Sequence, residues 1–288
     1  MLREVLWKDM LNMEINKNIV GLELGKLYAI WLREFKVFLR EKSRLIASTF
    51  TPLLWLFVIG GGFGSTLANT STNSTFGHST VGGVGSEIDY QQFIFPGIIC
   101  MSVIFSSVFF GSYIIWDRKF DFLKSVMVAP VSRTTIFIGK TFGGMTTSLI
   151  EAAILLIIGL FIGIHYTPLS IVVIIVIILL LSFALTSLGL TIGSYMESLE
   201  GFQLIVSFVV FPLYFLSGAL FPLNNNLPNW LFILTTVDPA SYAVDALRNI
   251  MLGITGKNLF IEDIGILLLS VITLGTFGIL SFKRMRAV

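Results

Sequence analysis

The sequence predicts an all-α, polytopic membrane protein with six transmembrane helices, and three observations support this. Hydrophobic residues make up 55% of the 288 positions and charged residues 12%, with a mean hydropathy of +0.89. Soluble domains carry roughly 25% charged residues, so water is not the solvent for most of this surface. Apolar runs long enough to cross a bilayer recur at about 45–63, 93–115, 141–164, 170–194, 203–222 and 263–282. Lys and Arg are concentrated in alternate connections between those runs.

The runs imply helices because a bilayer offers no water to satisfy backbone N–H and C=O groups. They are too long and continuous for barrel strands, which alternate. Residues 1–44 form a cytoplasmic N-terminal segment that is charged throughout and lacks the apolar stretch of a cleavable signal peptide. The first span is therefore expected to direct insertion. Within this segment Leu24, Leu27, Tyr28, Trp31, Phe35, Phe38 and Leu39 recur at helical spacing, with Lys26, Arg33, Lys36 and Arg40 opposite. This predicts an amphipathic interface helix containing Trp31, Arg33, Phe35 and Phe38, either on anionic membrane lipids or packed on a partner protein.

The six-helix domain, 45–282, follows. Its first external connection, 64–92, is rich in Gly, Ser, Thr and Asn, and offers N-glycosylation patterns at Asn69 and Asn73. The run at 227–236 is too short to span and lies between Pro222 and Pro239, so it reads as interfacial or re-entrant. The cytoplasmic tail is 283–288. Residues 1–44, 116–140 and 283–288 together hold seventeen of the nineteen Lys and Arg, whereas 223–262 hold two and 64–92 and 165–169 hold none. Excess Lys and Arg marks the cytoplasmic side. The prediction is a multi-pass protein of the cell membrane with both termini cytoplasmic.

Several function classes lack the residues they need. Cys100 lies alone in an apolar run and reads as a small core hydrophobe. His78 and His165 stand apart from any ligand cluster, so no metal is expected. No nucleophile motif marks a catalytic residue, and the Lys and Arg excess follows topology and does not suggest nucleic acid. Gly139-Lys140-Thr141 ends like a phosphate-binding loop, but the glycine required five residues upstream is Thr134. The hydrophilic remainder is too small for a nucleotide domain, so any ATPase belongs to another chain.

Glu151 is the acid placed well inside a span, where insertion costs at least ~2.5–3.5 kcal/mol. It reads either as a substrate-path or proton-relay residue, or as a packing contact hydrogen-bonded to Ser or Thr on a neighbouring helix. Between the second and third spans, 117–130 reads as a short cytoplasmic helix. Phe120, Leu123 and Met127 lie on one side, Lys119 and Lys124 turn away, and Pro130 ends it. Such a helix suits docking of a soluble partner or contact with the membrane.

These residues carry a resemblance. The segment resembles the D-R-E-x-G-x-L-x-x-x-x-V-x-P-V-S-R block, followed by G-K, of type-2 permeases of ATP-binding-cassette (ABC) exporters, the family of drug-resistance, Nod-factor and polysaccharide export permeases. It matches at Asp117, Arg118, Leu123, Val128, Pro130, Val131, Ser132, Arg133, Gly139 and Lys140, and departs at Lys119 and Asp121. A second block is similar to that family's F-L-S-G-x-x-F-P, L-P-x-W, N-P and Y-x-V-D-x-L-R. It includes Phe215, Ser217, Gly218, Phe221, Pro222, Pro228, Trp230, Pro239, Tyr242 and Arg248, with Asp238 replacing the usual Asn. The likeness extends from about 25 to 282.

Pro212 removes a backbone donor inside the fifth run, and Gly218 and Pro222 permit a turn. The external segment 219–249 is therefore read as a re-entrant gate dipping among the helices, with an ordinary external loop as the alternative. The resemblance implies a permease that pairs with a second permease copy, as a homodimer or heterodimer, and with ABC ATPase subunits that bind ATP and Mg. It also implies export of an amphipathic drug, lipid or lipid-linked glycan, with Asp117, Arg118, Phe120, Leu123, Met127, Pro130 and Arg133 forming the ATPase-coupling helix. An ion-coupled secondary transporter is the alternative, although such folds usually show repeats and paired intramembrane charges.

Overall fold

The computed structural model describes residues 23–63, 90–121, 131–220, 228–253 and 260–284. Helices and no strands are found among them. Helix α1 covers 23–40. Helix α2, Lys42–Trp55, continues as wider π turns through Leu56–Phe63. Then come α3 (Tyr90–Phe109), α4 (Ser112–Lys119), α5 (Arg133–Phe161), α6 (Pro168–Tyr195), α7 (Leu199–Leu216), α8 (Asn229–Val237), α9 (Pro239–Leu252) and α10 (Phe260–Arg284). Six stretches are long and apolar enough to cross a membrane: α2 with its π turns, α3 continued by α4, α5, α6, α7 and α10. These are the six runs of the sequence.

Local chemistry explains where four of these helices start. Ser132 accepts from the Thr135 N–H ahead of α5, Ser198 accepts from the Gly201 N–H ahead of α7, and Thr167 forms a reciprocal cap with Ser170 before Pro168. Each cap satisfies donors that the first turn leaves open. Asp238 caps α9, Pro239 occupies its first turn, and Gly253 closes it at φ +66°. Pro212, expected to interrupt the fifth span, sits inside a continuous α7; the break comes at Ser217–Gly218, where Gly218 has φ +69°. A proline costs the helix a donor, but the flanking apolar turns remain helical.

The centre of the bundle is α3 packed on α6. Helix α3 is buried along almost its whole length, from Phe93 to Val108. Lipid-exposed helices bury little apolar area against each other, so close backbone approach matters more than greasy contact. It is pronounced here: a Cβ on Gly189 would lie 2.2 Å from the Val108 carbonyl oxygen, and one on Gly193 2.3 Å from that of Gly111. Gly189 and Gly193 are four apart and share one face of α6, a small-residue stripe that lets two backbones touch.

Around this pair, α5 and α10 pack on α6, while α2 and α7 are peripheral. Helix α9 is buried continuously from Ala240 to Arg248, enclosed by α3, α6 and α10. Helix α8 differs in exposing Trp230, Ile233 and Val237. The segment containing Asn69 and Asn73 lies outside the described residues.

Candidate functional site

Four charged side chains meet at the end of the bundle that carries α1. Lys140, 1% exposed near the start of α5, donates to Glu34 Oε1 of α1 at 2.9 Å and to Asp117 Oδ2 of α4. Arg33 completes the group, reaching Asp117 Oδ1 at 2.7 Å and Glu34 Oε1 at 2.7 Å. Two cations and two carboxylates thus join α1, the extension of the second span and the third span. Glu34 and Asp117 are both buried, and each accepts from both cations. Burial works against the Arg33 charge, but its hydrogen bond to Asp117 and the attraction of both acids hold its pKa above the ordinary value.

Lys140 also settles the phosphate-loop fragment. Its ammonium is enclosed by two carboxylates within a membrane helix, so it has no access to a nucleotide.

Helix α1 has two working faces. Leu24, Tyr28 and Leu39 are exposed, and Trp31 stacks on Phe35 with centroids 5.7 Å apart. Phe38 and Glu34 are buried, and Trp31 Nε1 donates to Thr146 of α5. The expected basic face is therefore divided. Lys36 and Arg40 remain exposed, while Arg33 turns inward because two buried acids attract it.

The expected helix over 117–130 also divides. Asp117 and Arg118 belong to α4, which ends at Lys119; the chain then turns through Phe120 and Asp121, the latter at φ +56°. Asp117 is in the charge network, and Arg118 donates to the carbonyls of Ser194 and Met196 at 3.0 Å each, binding the end of α6. Phe120 is 71% exposed and stacks on Trp116. Arg133 opens α5 and donates to the Lys283 carbonyl at the end of α10. Leu123, Met127 and Pro130 lie outside the described residues.

Beside the network is a cavity of about 670 Å³ between α1, the α3–α4 junction and α7, bordered by Arg33, Glu41, Phe109, Tyr113 and Gln203. Glu41 accepts from the Tyr113 hydroxyl at 2.6 Å. Phe109 also borders a second cavity, of about 170 Å³, between α2, α3 and α5. Glu151 is there, 2% exposed, accepting from Ser48 of α2 at 2.7 Å. This is the serine contact that the sequence allowed as one reading of Glu151.

At the opposite end, Arg248 of α9 donates to the carbonyls of Gly218 and Ala219 at 2.8 and 2.9 Å, with its guanidinium 4.1 Å from the Phe93 ring centroid. It satisfies carbonyls freed where α7 stops. The turn itself lies against Gly97, where a Cβ would meet the Ala219 oxygen at 2.4 Å. Gly97 is seven residues into α3, about 10 Å along its axis at ~1.5 Å per residue. Ser217 is fully buried, and Phe215 is exposed. Ser241 donates to the carbonyls of Thr235 and Asp238, and Tyr242 to that of Thr236, fixing the α8–α9 corner between Pro228 and Pro239. Burial pushes the Asp238 carboxyl up to about 8, against the Ala240 N–H that favours its charged form. Phe221 and Pro222 lie outside the described residues.

Sequence reasoning missed Glu34 and Lys140 as partners. Glu34 shares a helical line with Ile30 and Phe38, which marks it as inward-facing, and Lys140 immediately precedes an apolar run. No cluster able to hold a metal occurs among the described residues.

The chain matches the family described as ABC-2 type transporter over residues 25–252. It is 28% identical over 263 residues to the inner membrane transport permease YadH of Escherichia coli (strain K12), covering 85% of this chain and 90% of that one. It is 31% identical over 237 residues to the putative transport permease ycf38 of Porphyra purpurea, covering 79% and 74%. Against the probable multidrug ABC transporter permease YbhR of Escherichia coli (strain K12), identity is 25% over 201 residues, covering 69% and 54%. Six membrane helices, a closed charge network in place of a nucleotide site, and this match over most of the length lead to one assignment: the chain belongs to the ABC-2 type transporter family, as a permease subunit.

Proposed function

We propose that this permease is the membrane half of an ATP-driven exporter of amphipathic compounds, paired with a second permease copy and with ATPase subunits that bind ATP and Mg. The N-terminus and the Phe120 turn face the cytoplasm in this reading, which the Lys and Arg distribution supports. ATPase closure presses on the turn and on 122–130. The observation that carries the reading is the Arg33–Glu34–Asp117–Lys140 network, because it makes α1, α4 and α5 mechanically continuous. A displacement at Phe120, three residues from Asp117, then reaches the third span through these ion pairs.

Helices α2 and α7 are the movable wall. Of the membrane-crossing helices they are the least tied to the α3–α6 centre, and each flanks a cavity bordered by Phe109. The α8–α9 segment serves as the outer gate, with α9 held inside the bundle by Arg248. The probable multidrug permease YbhR gives a precedent for drug-like cargo among relatives.

Co-purification identifies the ATPase, and reconstitution of the pair in liposomes tests coupling. The double variant Phe120→Asp and Leu123→Asp is expected to retain basal hydrolysis while losing substrate-stimulated hydrolysis and export. Unchanged stimulation and export would refute the coupling role.

A further inference from the structure

Within that exporter reading, which takes the α8–α9 segment as the outer gate, we propose that Asp238 is a proton-operated latch at the α8–α9 corner: protonated, it lets α8 lie against the bundle, and ionised, it drives α8 outward and loosens the gate. Asp238 stands where an exposed helix meets an enclosed one. Ahead of it, α8 exposes Trp230, Ile233 and Val237 and buries Thr235. Behind it, α9 is buried from Ala240 to Arg248 and tied by Arg248 to the carbonyls of Gly218 and Ala219. When the corner yields, α8 is the side free to move.

The carboxyl itself is half satisfied. Its Oδ1 accepts from the Ala240 N–H at 2.8 Å, whereas Oδ2, in a side chain 4% exposed, has no hydrogen-bond partner among the described residues. The titratable groups around it are Cys100 of α3, Tyr242 and Asp245 of α9 and Asp263 of α10, while α8 carries none from Asn229 to Val237. None of these supplies a countercharge, and Arg248, the cation of α9, turns to the two carbonyls. A buried carboxylate with one amide donor and no countercharge is costly, and keeping the proton removes the cost. Burial accordingly pushes the Asp238 carboxyl up to about 8. The protonated acid still caps α9, because a neutral side-chain oxygen accepts from the first turn as well.

The other ties at the corner do not respond to pH in this range. Ser241 donates to the carbonyls of Thr235 and Asp238 at 2.8 Å each, and Tyr242 donates to that of Thr236 at 2.8 Å. Burial holds the Tyr242 hydroxyl above its ordinary value, so it keeps its proton. Ionised Oδ2 needs water, and lifting α8 admits it, which returns the carboxyl toward its ordinary value of 3.8. The closed corner thus holds the proton more tightly than the open one, so opening releases it. The ratio of open to closed should rise by up to about tenfold per pH unit between about 4 and 8, and level off above 8.

The test measures spin–spin distances by pulsed electron paramagnetic resonance on the full permease in phosphatidylcholine nanodiscs. The parent carries Cys100→Ala, with thioether-linked nitroxides at Ile233→Cys of α8 and Ile261→Cys of α10, both exposed positions. Each single-label variant run alone identifies distances between copies. From pH 5 to pH 8 a second distance population should grow at least tenfold relative to the first, then stay constant to pH 9.5. Asp238→Asn, a neutral cap of the same shape, should hold the first population at every pH; Asp238→Ser, also a neutral cap, takes its place should the Asn variant fail to fold. A parent whose distances ignore pH would overturn the proposal, as would a neutral-cap variant that responds to pH as the parent does. No ATPase is needed, so a corner indifferent to pH leaves the exporter reading standing, and a missing ATPase partner leaves the latch standing.

Discussion

Replacing Lys140 by Met removes one cation from the four-charge network while keeping an unbranched apolar stem of similar length. Glu34 and Asp117, both nearly inaccessible, then share Arg33 alone, and Arg33 is itself partly exposed. Breaking a buried pair by removing one partner costs about 3–5 kcal/mol, mostly from the charge left uncompensated. At roughly 2–4 °C per kcal/mol for chains of this size, the melting temperature should fall by about 6–20 °C. The assay is thermal unfolding of the purified permease in nanodiscs, with Asp117→Asn added in the Lys140→Met background. That second change removes the surplus negative charge and leaves Arg33 facing Glu34, so it should recover most of the loss. A Lys140→Met protein that melts within 1 °C of wild type would refute the network as a structural joint. A double variant no more stable than the single one would refute the charge argument specifically.

Further outcomes follow from other contacts. Gly189→Ala places a Cβ 2.2 Å from the Val108 carbonyl oxygen and should cost about 1–3 kcal/mol or more through overpacking, whereas Gly25→Ala meets nothing within 4 Å and should be neutral or up to ~1 kcal/mol stabilising; paired melting curves compare them. Asp238 has a folded-state pKa raised from 3.8 to about 8, so its stabilising contribution is fully present below about pH 4 and lost as pH rises through 8. Wild type should therefore lose stability relative to Asp238→Asn between about pH 4 and 8, as read by melting at each pH. Arg248→Leu strips two buried carbonyls of their donor and should cost about 1–3 kcal/mol per orphaned group, with faster proteolysis near Gly218 as the readout.

The sequence revealed the spans, because a bilayer demands about twenty apolar residues and this requirement leaves little freedom. All six appear near the expected positions. The helix caps Ser132, Thr167, Ser198 and Asp238, each a short polar side chain next to a helical run, emerge only with the structure. The site was less legible, because it depends on which helices become neighbours. Arg33 read as a headgroup-facing cation, since periodicity places a residue on a face but does not say what packs there. Asp117 and Arg118 read as part of a surface helix because the second apolar run ends at about 115; the structure extends the helix to Lys119 and turns both side chains inward. The inward side of α1 holds an acid, and a hydrophobicity pattern registers that only as a gap. Pro212 misled for a related reason: proline marks a lost hydrogen bond, but α7 absorbs that loss and ends one turn later, at the glycine.

The glycine stripe of α6 divides the bundle into parts with different freedom. Where Gly189 and Gly193 bring backbone against the carbonyls of Val108 and Gly111, no side-chain layer is available to slide or change rotamer. The α3–α6 pair must therefore move as one piece, a keel against which other helices rock. In the proposed exporter, motion that opens a path falls to α2 and α7, which sit at the edge of the bundle. The two cavities adjoin those two helices, on the side where the fold can yield.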